Sequence, residues 1–296
     1  MSTEQTLAKV KQLPPKQNNA QATWLALTKH KPAMAGLIVV ILLFLFAYIA
    51  PLFVPMEKAI TMNAAIKLQT PSAEHWFGTD VLGRDIFARI VNGASVSLTM
   101  GFIPTFVSMF IGMFLGAAAA YYGGWLDNLI VRFCDIFACI PGILLSITLV
   151  SVLGTGLNNM IIAITISSIP GRTRFVRSVV LSITEQDYIE AARASGASPI
   201  RLIFKHILPN AFGPLMLSAT SSIASMILMG AGLSFLGLGL SPPYPEWGAM
   251  LYEARESILR APYLFYFPGL FIVVAMLAFN LLGDGLRDVL DPKLKR

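Results

Sequence analysis

The side chains able to make or break bonds are few and scattered. His30, His75 and His206 stand far apart, with no HExxH pair to hold a metal. Cys134 and Cys139 lie five residues apart in an apolar segment, where a helix points them in different directions. They cannot bridge, a metal would need more ligands, and both read as inert buried thiols. There is no GxSxG elbow and no GxxxxGK[ST] loop, and no glycine is followed by lysine. The chain therefore shows no catalytic set, no metal site and no nucleotide site of its own. Charge concentrates instead in Glu185–Asn210, EQDYIEAARASGASPIRLIFKHILPN, the longest polar interruption between apolar runs. Such a stretch suits one task, presenting a shaped and charged surface to a soluble partner.

Its residue order predicts that shape. Thr184 followed three residues later by Asp187 fits a capping box. A helix over 185–195 then displays Tyr188, Ile189 and a slim row of Ala191, Ala192 and Ala194. Gly196 suits a left-handed stop, Ser198-Pro199 a new N-cap and first turn, and Pro209 the end of a second helix. Two short helices with a rigid elbow make a peg that enters a groove. The rival is an amphipathic helix lying on lipid, which Glu185, Asp187 and Glu190 disfavour against an anionic leaflet.

The elements that carry this peg read as membrane spans. The chain has 296 residues, 55% hydrophobic and 13% charged, about half the charged share of soluble domains. A net charge of +6 raises nucleic acid as a partner, but the basic residues flank apolar runs, so they read as topology signals. Residues 1–33 form a polar tail, expected to be disordered or loosely helical. Spans are expected at 34–54, 95–120, 129–153, 160–176, 212–236 and 263–282, with a connector over 55–94. A cleaved leader is the rival for 34–54, but the polar stretch before it is too long. Gly112 and Gly116 permit close helix contact within the chain. Arg132 and Asp135 are expected to pair at an interface. Lys and Arg number 5, 1, 6 and 4 in the tail, at Arg132, over Arg172–Lys205 and at the C-terminus, against 4, 0 and 2 in the alternate segments. That excess puts both termini, and Glu185–Asn210, in the cytoplasm.

Glu190-Ala191-Ala192, three residues, Gly196, then Leu208-Pro209 resembles the EAA loop of ABC importer permeases. The pattern often has an apolar residue where His206 stands. FGTDVLGRDIFARIVNGASVSL, SFLGLGLSPPYPEWGAM and AFNLLGDGLRDVLDPKLK are similar to signatures of one branch, the second permease subunit of dipeptide, oligopeptide, nickel and glutathione importers. The similarity runs from Met34 onward. It implies an all-α integral membrane protein of six transmembrane helices with the type I ABC importer permease fold. Domain 95–284 would be the permease domain, with coupling loop 185–210, and 285–296 a cytoplasmic tail. It further implies a second homologous permease subunit, two ABC ATPase subunits that bind ATP and Mg, and an external solute-binding protein, in a bacterial plasma membrane. Glu190, Ala191, Ala192, Gly196, Leu208 and Pro209 would dock the ATPase.

Ser221, Ser222, Ser225 and Asn280 are polar groups within spans, fit either to line a solute pathway or to hydrogen-bond between helices. The loop SPPYPEW is expected outside, meeting the binding protein or packed on this chain. A carrier driven by ions would place ionisable residues at mid-membrane depth, and the expected spans have none. An ATPase-independent channel leaves the polar stretch unexplained. Peptides are the default solute of the branch, with nickel complexes or glutathione as alternatives.

Overall fold

A computed structural model describes residues 25–290 of the chain; the greater part of the expected tail, 1–24, and the last six residues of the C-terminal tail lie outside them. The described residues are helical, with one isolated bridge between Thr79 and Asp85 and no named strand. The helices are α1 (Lys31–Tyr48), α2 (Met56–Ile60), α3 (Ile86–Tyr122), α4 (Gly124–Ala138), α5 (Gly142–Leu153), α6 (Leu157–Thr184) and α7 (Asp187–Ala194). They continue with α8 (Pro199–Leu238), α9 (Trp247–Ala254) and α10 (Tyr263–Leu290).

By length and composition α1, α3, α8 and α10 can each cross a membrane, and the pair α4–α5 brings the number to as many as five. Helix α6 spans 28 residues, but Arg172, Arg174 and Arg177 lie inside it. The boundaries differ from the sequence expectation for local reasons. Helix α1 begins before Met34 because Pro32 occupies its first turn and the His30 Nδ1 accepts the Ala33 N–H at 3.3 Å. Helix α3 begins at Ile86, well before Ser95, because Asp85 accepts the Ala88 N–H at 2.8 Å.

The expected third span, 129–153, is broken. Helices α4 and α5 meet at 83° across Pro141, whose ring denies the helix a donor and crowds the preceding turn. Helix α4 is tied to α6 by a two-pronged Asp127–Arg177 pair at 2.5 and 2.6 Å. Asp135 pairs with Arg174 at 3.5 Å, and Arg132 is exposed, so the expected Arg132–Asp135 pair is replaced by a contact between helices. Cys134 is buried as expected, whereas Cys139 is exposed at the bend.

Packing centres on α3, flanked by α6 and α8. A Cβ on Gly112 would lie 2.7 Å from the Arg172 Cβ, and one on Gly116 would lie 2.6 Å from the Thr173 carbonyl oxygen. The two glycines therefore let α3 and α6 approach backbone to backbone within one chain. Pro104, Pro170, Pro214 and Pro268 sit inside helices, as membrane helices tolerate where neighbouring groups satisfy the freed carbonyls. On the connector side, α9 wedges against α3, α8 and α10. Its Trp247 is fully buried and donates Nε1–H to the Ile90 carbonyl at 3.1 Å.

Candidate functional site

The peg lies where the sequence places it, with a different construction. Helix α6 runs through Thr184, whose hydroxyl donates back to the Leu181 carbonyl at 2.8 Å. The capping box at Thr184 does not form. Gln186 occupies the N-cap of α7 without a side-chain hydrogen bond, and Asp187 begins the helix. One buried residue anchors α7: Ile189, which packs with Met109, Ala117, Val176, Val180, Ile207 and Ala211. Glu190 and Ala191 are exposed, and Ala192 is half-buried.

The elbow is a Schellman stop. Gly196 has φ +81°; its N–H donates to the Arg193 carbonyl at 3.0 Å, and the Ala197 N–H donates to the Ala192 carbonyl at 3.1 Å. A Cβ on Gly196 would meet nothing within 4 Å, so backbone conformation alone demands glycine. Ser198 then accepts the Arg201 N–H at 3.4 Å and Pro199 opens α8.

Pro209 does not end that second helix. Leu202–Ile207 adopts a wider π turn, with the Leu208 N–H reaching back to the Ile203 carbonyl, and the helix continues past Pro209. The widened turn relieves the clash between a proline ring and the carbonyl four residues earlier. The peg is thereby rigidly continuous with α8. Leu208 is half-buried and Pro209 exposed. Tyr188, Ile200 and Phe204 present exposed apolar surface beside the acidic first turn of α7.

Ser218, Ser221, Ser222 and Ser225 fall at i, i+3, i+4 and i+7 along α8, which makes one stripe. Ser221 and Ser222 line a cavity of about 410 Å³ with Phe175, Val179, Leu217, Ser218 and Arg287. Their hydroxyls return to their own helix, Ser221 to the Leu217 carbonyl and Ser222 to that of Ser218, rather than to a neighbour. Ser225 is exposed further along the stripe; Asn280 is exposed on α10 outside the cavity.

A third constellation escaped the sequence reading. Arg84 and Arg89, at the foot of α3, are 0% and 1% exposed. Arg84 Nε contacts Asp80 at 2.6 Å and its Nη2 contacts Glu253; Arg89 Nη2 reaches the same Glu253 oxygen at 3.0 Å. The Arg89 Nη1–H also donates to the Ala59 carbonyl at 3.3 Å. Two buried cations thus share two carboxylates and clamp the connector to α9. Glu246 starts α9 by accepting the Gly248 and Ala249 N–H groups at 2.8 Å each and the Ser97 hydroxyl at 3.1 Å. Burial pushes its carboxyl up, and those donors oppose the shift. In the loop before it, Ser241, Pro242 and Tyr244 point outward while Pro245 and Glu246 pack against Gly93. The signal available in the sequence was Arg84 and Arg89 beside apolar neighbours in VLGRDIFARI, where a charge needs a partner.

Residues 108–296 match the family model of the binding-protein-dependent transport system inner membrane component. Residues 19–71 match the N-terminal TM domain of oligopeptide transport permease C. The chain is 48% identical to a dipeptide transport system permease protein of Alkalihalophilus pseudofirmus, covering 91% of this chain and 88% of the relative. It is 46% identical to a glutathione transport system permease protein of Escherichia coli, covering 92% and 90%. Among solved structures it resembles a chain of the inward-facing MetNI methionine ABC transporter, with TM-score 0.58, 24% identity, and 69% of this chain and 97% of that chain covered. That likeness shows the fold, the type I importer permease fold, in an all-α membrane protein. With its membrane-length helices and matched segments, the chain belongs to the binding-protein-dependent inner-membrane permease family of ABC transporters.

Proposed function

We propose that this chain forms half of the translocation pathway of an ATP-driven importer for di- and oligopeptides. The reading rests on one observation above the others: an exposed two-helix peg whose second helix continues past Pro209 into a membrane-length helix. A rigid-body push on α7 passes through the Gly196 elbow to α8, whose serine stripe borders the cavity. In this reading two ABC ATPase subunits bind ATP and Mg and close against each other. The peg, through Glu190, Ala191, Ala192, Gly196, Leu208 and Pro209, converts that closure into a switch between outward- and inward-facing states. A second homologous permease supplies the other half of the pathway, and an external solute-binding protein delivers the peptide. The chain crosses a bacterial plasma membrane six times, α4–α5 and α6 included, with both termini in the cytoplasm.

Peptide as solute is favoured by the 48% identity to a dipeptide permease. Glutathione, from the 46% identity to a glutathione permease, is the second reading. The test is to purify the tagged chain with its co-expressed neighbours and reconstitute it. ATPase subunits should co-purify, and labelled dipeptide uptake should require ATP and the binding protein. Uptake by this chain alone, or competition by glutathione but not by dipeptides, would overturn the proposal.

A further inference from the structure

The cations near the serine stripe do not all have counter-charges. Asp127 engages Arg177 and Asp135 engages Arg174. Arg172 and Arg287 remain. Among the described residues, neither has a carboxylate within 4.0 Å. Arg172 is half-buried in α6 and its Nη1–H donates to the Ser218 hydroxyl at 3.3 Å, a neutral partner. Arg287, exposed in the last turn of α10, borders the 410 Å³ cavity with Ser218, Ser221 and Ser222. Two guanidinium groups thus flank one row of hydroxyls. A guanidinium with no carboxylate partner beside a row of hydroxyls has donors left to offer an anion. The cavity falls within the size range of small-ligand sites.

We propose that Arg172, Arg287 and the α8 serines form a station for the C-terminal carboxylate of the transported peptide. This rests on the peptide-importer reading above and adds to it the residues that recognise the solute. A guanidinium fork matches a carboxylate's two oxygens, and the serine hydroxyls can donate to the same group. The station holds the anion after the binding protein has released it, on the face of the helix that the peg drives.

The experiment uses the complete importer with its binding protein, in proteoliposomes, and compares a dipeptide with its C-terminal amide at saturating concentrations. Taking the ratio of variant to wild-type rate for each peptide cancels the binding protein's own preference. Arg172→Gln and Arg287→Gln should each lower free-acid uptake about tenfold, the scale of one charge-assisted hydrogen bond. Amide uptake should stay within about twofold, and Arg287→Lys should recover part of the loss because the charge persists. Recovery of the assembled complex, measured by co-purifying ATPase subunits, separates a lost contact from a lost fold. Unchanged free-acid uptake in both glutamine variants would overturn the station. So would an equal loss for both peptides that follows the anionic-lipid content of the vesicle, which would assign the site to a lipid phosphate. Failure of the wild-type importer to take up dipeptides at all would overturn the peptide reading itself, and the station with it.

Discussion

Replacing Gly196 tests the elbow, and the structure separates two ways in which the replacement can act. At φ +81° an L side chain pays about 1–2 kcal/mol in backbone strain. The space around the position is open, with nothing within 4 Å of a built Cβ, so no clash inside this chain adds to that figure. A shift of that size changes the population of the bent elbow roughly 5- to 30-fold. Asparagine tolerates the left-handed region better than alanine, although it is larger. If strain sets the outcome, function ranks Gly196 above Gly196→Asn, then Gly196→Ala, with Gly196→Val lowest. If instead bulk against an ATPase groove sets it, alanine outranks asparagine. The assay is ATP hydrolysis stimulated by the binding protein, together with peptide uptake, in the assembled complex. Membrane insertion of the permease should persist in all three variants. Alanine outperforming asparagine would refute the strain argument, and full coupling in the valine variant would refute the elbow's role altogether.

Two further outcomes follow from burial. Glu253→Gln leaves Arg84 and Arg89, 0% and 1% exposed, with Asp80 as their one remaining carboxylate, and should destabilise the solubilised protein by about 2–3 kcal/mol, read as a fall in thermal unfolding temperature. An unchanged unfolding temperature would mean the clamp carries no net stability. Ile189→Ala removes the one buried anchor of α7, at a cost of about 2–5 kcal/mol. Because the loss falls on the peg, the complex should still assemble in the membrane while uptake per ATP hydrolysed drops; retained coupling would show that α7 is held by its partner instead.

Local chemistry made part of this protein legible in its sequence. Apolar runs of bilayer length identify a membrane protein, because lipid leaves backbone groups no partner outside a helix. The left-handed glycine at 196 and the Ser198 cap could be read from a few neighbouring residues, since an elbow of that kind is determined by backbone sterics within one turn. Three features needed the tertiary structure. The capping box at Thr184 was locally permissible, but packing of α6 carried the helix through that residue and turned the hydroxyl back to Leu181. Pro209 has the signature of a stop, yet a π turn absorbed its ring and kept α8 whole, because Ile207, Ala211 and Leu215 were held in one core. The Arg84–Glu253 contact joins residues 169 positions apart. Each side chain alone reads as an ordinary surface charge, and only the packing of α9 on α3 decides that Arg84 is buried and that Glu253 is its partner.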